Sequence, residues 1–133
     1  MNEQYPQETF GCAACWPPDA ESAQAARARL SLIAVLIDES HFHVMILGCD
    51  RCGQQFISIF TEMVDWADGE DPQYWTLLPL RPPEASALIT RGAALTENEI
   101  NALGRERKCL QYDCPKGTPP AHPLGFRVLC RPA

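Results

Sequence analysis

Leu30-Ser31-Leu32-Ile33-Ala34-Val35-Leu36-Ile37, then Asp38-Glu39-Ser40-His41, then Phe42-His43-Val44-Met45-Ile46-Leu47, and finally Gly48-Cys49-Asp50-Arg51-Cys52-Gly53: this run decides the fold. Its first eight residues are apolar except Ser31 and include the β-branched Ile33, Val35 and Ile37, and a polar cluster ends them, which predicts a strand. Phe42–Leu47 predicts a second strand, and the four residues Asp38–His41 predict the loop of a hairpin. The second strand runs straight into Cys49-Asp50-Arg51-Cys52, a pair of thiols two residues apart.

An equivalent pair, Cys12-Ala13-Ala14-Cys15, precedes the first strand by 14 residues. Two thiolates at this spacing close on one ion through a tight turn, and two such turns supply the four sulfurs, at about 2.3 Å, that structural zinc prefers. Gly11, Gly48 and Gly53 flank the pairs and suit turns that need a positive φ. The 33 residues between the pairs leave room for a strand, a hairpin and a return. The competing reading is two unrelated pairs of buried thiols, since cysteine packs as a small apolar residue. Seven cysteines cannot all pair within one chain, which argues against a disulfide framework.

Cys12-x-x-Cys15, apolar strands, and Cys49-x-x-Cys52-Gly53 together resemble the zinc-ribbon proteins, over about residues 11–64. The resemblance implies an antiparallel β-sheet and a zinc ion held by Cys12, Cys15, Cys49 and Cys52, and implies no particular role. The stretch Asp65–Leu80, centred on Asp68-Gly69-Glu70-Asp71-Pro72, resembles a small bacterial family, and that resemblance carries no function.

Working outward, residues 1–10 are polar, and Ala20–Arg29 reads as a loop or one short helix. Gln55–Val64 fits a helical stripe through Phe56, Ile59, Phe60 and Met63, but its β-branching favours a strand, as does its place after a cysteine turn. Tyr74–Leu80 predicts a further strand, stopped by Pro82-Pro83, and Glu84–Arg91 a short helix. Thr96 and Glu99 form a capping box, and Leu95 is placed to staple onto Ile100, so a second helix opens at Thr96. From Cys109 on, Pro115, Pro119, Pro120, Pro123 and Pro132 argue against regular structure, apart from a short strand at Phe126–Leu129. The expectation is one α+β domain over 1–133: a zinc-ribbon-like β core at 11–64 within an antiparallel sheet of about four strands, an acidic turn, strand and two short C-terminal helices at 65–110, and an irregular Pro-rich tail at 111–133.

Other clusters carry weaker chemistry. Cys109, Cys114, His122 and Cys130 form a candidate second zinc set, but their spacing is irregular and packed thiols explain them as well. Asp65, Asp68, Glu70 and Asp71 lack the alternation of a calcium loop and read as a solvated turn. His41 and His43, with Glu39, suggest either a second site or a surface pair beside the hairpin. No Ser/His/Asp arrangement and no phosphate-cradling Gly-rich loop is present.

The net charge of -6 disfavours a general grip on nucleic acid, which needs a basic face. Residues 61–100 hold eight acids against two bases, whereas residues 101–133 hold six bases against two acids, so Arg105, Arg107, Lys108 and Lys116 have acidic partners within the chain. No apolar run approaches the roughly 20 residues of a membrane span. The N-terminus lacks the apolar centre of a signal peptide, so a soluble, cytoplasmic chain is expected. Two function classes compete. One is a non-catalytic module with one structural zinc ion per chain, acting by contact with another protein. The other is a thiol–disulfide oxidoreductase using Cys49 and Cys52, which would need residues 54–67 to be a helix and Pro79 to lie near the thiols. A nucleic-acid-binding ribbon is a weaker third.

Overall fold

The computed structural model describes residues 9–62, 73–103, 107–114 and 124–128. Six strands form one antiparallel sheet in chain order: β1 (Ser31–Glu39), β2 (Phe42–Gly48), β3 (Gln55–Glu62), β4 (Gln73–Leu80), β5 (Lys108–Cys114) and β6 (Leu124–Val128). Helix α1 (Ala20–Arg27) precedes the sheet. Helix α2 (Pro82–Arg91), a 3-10 turn (Gly92–Ala94) and α3 (Glu97–Asn101) lie between β4 and β5.

The mixed α+β class and the antiparallel sheet follow the sequence, and Gln55–Glu62 takes the strand alternative. Three expectations need correction. Among the described residues the sheet has six strands rather than about four, the two helices are inserted before its last two strands, and Lys108–Cys114 is regular where an irregular tail was expected, while the short strand expected at Phe126–Leu129 is present at Leu124–Val128. The reason is where the prolines fall. Pro115, Pro119, Pro120 and Pro123 all lie between β5 and β6, and neither strand contains one, so the ladder Lys108↔Val128 to Tyr112↔Leu124 loses no donor. Pro79 does sit inside β4, but the described pairing with β5 stops at Leu77↔Leu110, so its missing N–H lies beyond that ladder. The prolines at 82 and 83 open α2 rather than merely ending β4, since the first helical turn needs no N–H from them.

Strand alternation gives the sheet two apolar faces. Val44, Ile46, Ile57, Ile59, Leu78 and Leu80 line one, where Ala85 and Leu88 of α2, then Leu95, then Ile100 of α3 close the core. Leu95 and Ile100 are both buried here, and Thr96 Oγ1 accepts the N–H of Glu99, so the expected cap and staple are present. The opposite face carries Leu47, Phe56, Leu77 and Leu110, covered by Ala23 of α1 together with Cys15 and Cys49. Lower on that face, His43, Phe60, Trp75 and Tyr112 stand in register across β2 to β5, with ring centroids 5.6, 5.0 and 5.3 Å apart. Among the described residues no helix is long and apolar enough to cross a membrane.

Candidate metal centre

Both cysteine turns are built by backbone bonding. The N–H groups of Cys15 and Trp16 donate to the carbonyl of Cys12, and the N–H of Gly53 donates to the carbonyl of Cys49. Two further amides point at sulfur: Cys12 N–H to Cys15 Sγ at 3.2 Å and Arg51 N–H to Cys49 Sγ at 3.4 Å. Gly11 and Gly53 have φ of 70° and 80°, the region an L side chain avoids. Gly48 does not. It ends β2, and a Cβ there would lie 3.1 Å from the Ile33 side chain, so its need is close approach rather than a positive φ.

The two turns meet at one end of the sheet. Cys12 Sγ lies 3.8 Å from Cys15 Sγ and 3.9 Å from Cys49 Sγ, and Cys15 Sγ lies 3.7 Å from Cys52 Sγ. All four sulfurs are within 4.8 Å of one another. A regular tetrahedron with metal–sulfur bonds of about 2.3 Å has edges of about 3.8 Å. Bridged sulfurs would lie about 2.05 Å apart, so these are four thiols and not two disulfides. Among the described residues this is the single group of three or more metal-ligating side chains close enough to share an ion.

The electrostatics divide the four. Amide N–H groups of Cys15 and then Ala14 stabilise the Cys12 thiolate and bring its pKa down to about 7. Burial pushes Cys15 well up, and desolvation also raises Cys52. Four negative sulfurs at these distances repel one another, so their joint ionisation requires a cation among them.

Residues that sequence reasoning passed over hold the turns together. Gln54 Oε1 accepts the N–H of Gly11 at 2.9 Å, while its Nε2 donates to the carbonyls of Gln55 and Leu80 at 2.7 Å each. One side chain thus ties the first cysteine turn to the second and to the end of β4. The available signal was an amide side chain directly after the turn glycine. Trp16 packs on Phe56 with centroids 5.4 Å apart. Under α1, Arg27 donates to the buried Ser58 Oγ at 2.7 Å. Near Gly11, the Arg107 guanidinium lies 4.9 Å from the Phe10 ring centre and forks onto Glu84 at 2.8 and 2.9 Å. That pair joins the basic C-terminal stretch to the acidic middle one.

Among the described residues the other candidates do not converge. Cys109 is buried in the core on the sheet face opposite Cys15 and Cys49. Cys114 lies five positions further along β5, about 17 Å of strand, too far for two thiolates on one ion. The side chain of Cys114, and His122 and Cys130 altogether, lie outside the described residues, as do Asp65, Asp68, Glu70 and Asp71. The two histidines go separate ways, His41 Nδ1 to Glu62 at 3.0 Å and His43 Nδ1 to Asp38 at 3.0 Å, because His41 sits in the turn and not in β2. Comparison with protein-family models, with curated proteins and with solved structures finds no match in any of the three.

Proposed function

We propose that Cys12, Cys15, Cys49 and Cys52 hold one structural zinc ion per chain, and that the protein is a non-catalytic module acting through contact with another protein. The carrying observation is the spacing of the four sulfurs, 3.7 to 3.9 Å along three of the six edges and within 4.8 Å for all, close to a tetrahedron. Four sulfur donors suit zinc over the hard cations, which take oxygen. A set of four protein ligands closes the coordination sphere and leaves no position for a substrate, the mark of a structural site. The zinc-ribbon likeness belongs to this reading, on the strength of two cysteine turns flanking antiparallel strands. Metal analysis of the purified protein by mass spectrometry, with a thiol titration beside it, should find one zinc per chain. Protein purified gently and free of any transition metal would refute the site. Two zinc ions would bring Cys109, Cys114, His122 and Cys130 back for re-examination as ligands.

The oxidoreductase reading, through Cys49 and Cys52, rests on β2 running straight into that pair and on the exposure of Cys52, although desolvation raises the Cys52 thiol. It loses its sequence support, since Gln55–Glu62 is a strand and not the helix such a motif requires. Mild oxidation separates the two. In the zinc reading the ion must leave as thiolates are consumed, so zinc release tracks thiol loss. Oxidation of Cys49 and Cys52 with no zinc released, followed by turnover of a test disulfide, would establish the enzyme instead.

A further inference from the structure

Cys52 differs from the other three sulfur ligands in its access to water. Cys15 and Cys49 are buried and Cys12 is half-buried, whereas Cys52 is exposed. Oxidation of a thiolate follows its exposure, so a peroxide meets Cys52 first. The sulfur 3.7 Å away is that of Cys15, which belongs to the other cysteine turn. Bridging the two needs a closure of about 1.7 Å, down to the 2.05 Å of a disulfide. Room for that movement lies on one side. Cys15 is packed in the core with Ala23, Leu47 and Phe56. Gly53, directly after Cys52, has nothing within 4 Å of a Cβ built on it. Cys52 is therefore the sulfur that moves.

We propose that the metal centre is also a redox switch, in which a peroxide converts Cys52 and Cys15 into a disulfide that replaces the ion as the clamp between the two cysteine turns. This rests on the zinc reading of the site. The Cys52 sulfur attacks the O–O bond of the peroxide; an S–O bond forms, hydroxide leaves, and Cys52 becomes a sulfenic acid. The Cys15 thiolate then attacks the Cys52 sulfur, forming the S–S bond and displacing a second hydroxide. Two electrons pass from the two sulfurs to the peroxide, which ends as two hydroxide ions. Cys12 and Cys49 are left as two thiolates, half the set that structural zinc takes, so the ion is released. The new bond spans 37 residues and joins the same two turns that the ion joined. α1 begins five residues after Cys15, so it stays tethered to the end of β2. A disulfide within one turn, Cys49 to Cys52, would leave it untethered.

The test treats the zinc-loaded full chain with hydrogen peroxide, blocks the remaining thiols, and digests with trypsin without reduction. Cleavage at Arg51 puts Cys49 and Cys52 on different peptides, so mass spectrometry with fragmentation reads each possible bridge. Dimedone present in a parallel sample traps the sulfenic acid. The expected results are a dimedone adduct on Cys52, a bridge from Cys15 to Cys52, and one zinc ion released per bridge. Trp16, packed on Phe56 next to Cys15, should keep its emission wavelength as the ion leaves. Dithiothreitol with added zinc should restore four thiols and the bound ion. A bridge between Cys49 and Cys52, a dimedone adduct on a different one of the four cysteines, thiols that persist under excess peroxide, or Trp16 emission that moves to longer wavelength with zinc loss overturns the switch and leaves the zinc site standing. Protein that holds no metal before peroxide is added refutes the zinc reading itself, and the switch with it.

Discussion

Alanine placed at each of the two positive-φ glycines of the cysteine turns separates backbone strain from a direct blow to a ligand. An L residue in that region costs about 1–2 kcal/mol. Gly53, at φ 80°, has nothing within 4 Å of a built Cβ, so Gly53→Ala should cost that strain and no more. Gly11, at φ 70°, differs: its Cβ would lie 2.7 Å from Trp16 Cβ and 2.9 Å from Cys15 Sγ. Trp16 Cβ is fixed by its own backbone and cannot swing aside. Overpacking of this kind adds about 1–3 kcal/mol, so Gly11→Ala should cost about 2–5 kcal/mol in all. The excess falls on the position of the Cys15 sulfur. Zinc affinity should therefore drop about 5- to 150-fold beyond the Gly53→Ala value. Competition against a chromogenic chelator reads the affinity, and thermal unfolding of both variants reads the strain. If Gly11→Ala matches Gly53→Ala in both measurements, the sulfur is not held where the structure puts it and the reasoning fails.

Cys49→Ser should lose the ion and with it stability, because hydroxyl is a poor zinc ligand and metal binding is linked to folding. Cys109→Ala, on the other face, should leave metal content unchanged, so elemental analysis of the pair checks the assignment. Trp16 follows Cys15 and packs on Phe56, so a strong chelator should move its emission to longer wavelength and added zinc should reverse the shift. Trp16→Phe should abolish that response. At the other end of the molecule, hydrogen bonds from Arg91 hold the Glu99 carboxyl at about 2, below its ordinary 4.5. The folded state favours the ionised form, so its contribution is complete above pH ~4.5 and is lost as pH falls through about 2. The stability gap between wild type and Glu99→Gln should accordingly be open at neutral pH and closed below about 2, read by thermal melts across that range.

What was legible in the sequence was whatever has a local cause. β1 and β2 announce themselves by β-branching, α3 by its capping box, and the ligand set by paired thiols at a spacing that a single turn closes. The choice of strand for Gln55–Glu62 needed one step beyond periodicity, namely that a cysteine turn hands the chain back toward its partner strand. β5 was hidden, and β6 placed two residues late at Phe126–Leu129, because proline count was read as if spread along the segment, whereas the prolines fall between Lys108–Cys114 and Leu124–Val128 in sequence and spare both. Gln54 was hidden for a different reason. Its three bonds reach Gly11, 43 residues away, and Leu80, 26 residues away, as well as its neighbour Gln55; an amide directly after the turn glycine marks the residue, but no local pattern encodes partners at that range. The separate partners of His41 and His43 depended on the hairpin turn being two residues rather than four, a shift of boundary that moves His41 out of the strand.

The site also answers how so slight a helix covers one face of the sheet. α1 has eight residues and buries two alanines, Ala23 and Ala26. Isolated helices under about 12–15 residues are marginal, and two buried methyl groups contribute on the order of 1–2 kcal/mol. The Asp19 cap and the Arg27–Ser58 bond add about 1 kcal/mol apiece at most sites of their kind. That is little with which to seal Leu47, Phe56, Leu77 and Leu110 from water. Cys15, however, lies only five residues before the helix and is itself part of that core. An ion that joins Cys12 and Cys15 to Cys49 and Cys52 fixes the start of this segment to the end of β2, and structural zinc contributes on the order of 10–16 kcal/mol to such a closure. The helix is then docked by its tether and needs only a small, smooth face, which is what alanine provides. Under the proposed zinc site, the ion would thus sit at the root of a helix whose own packing is slight.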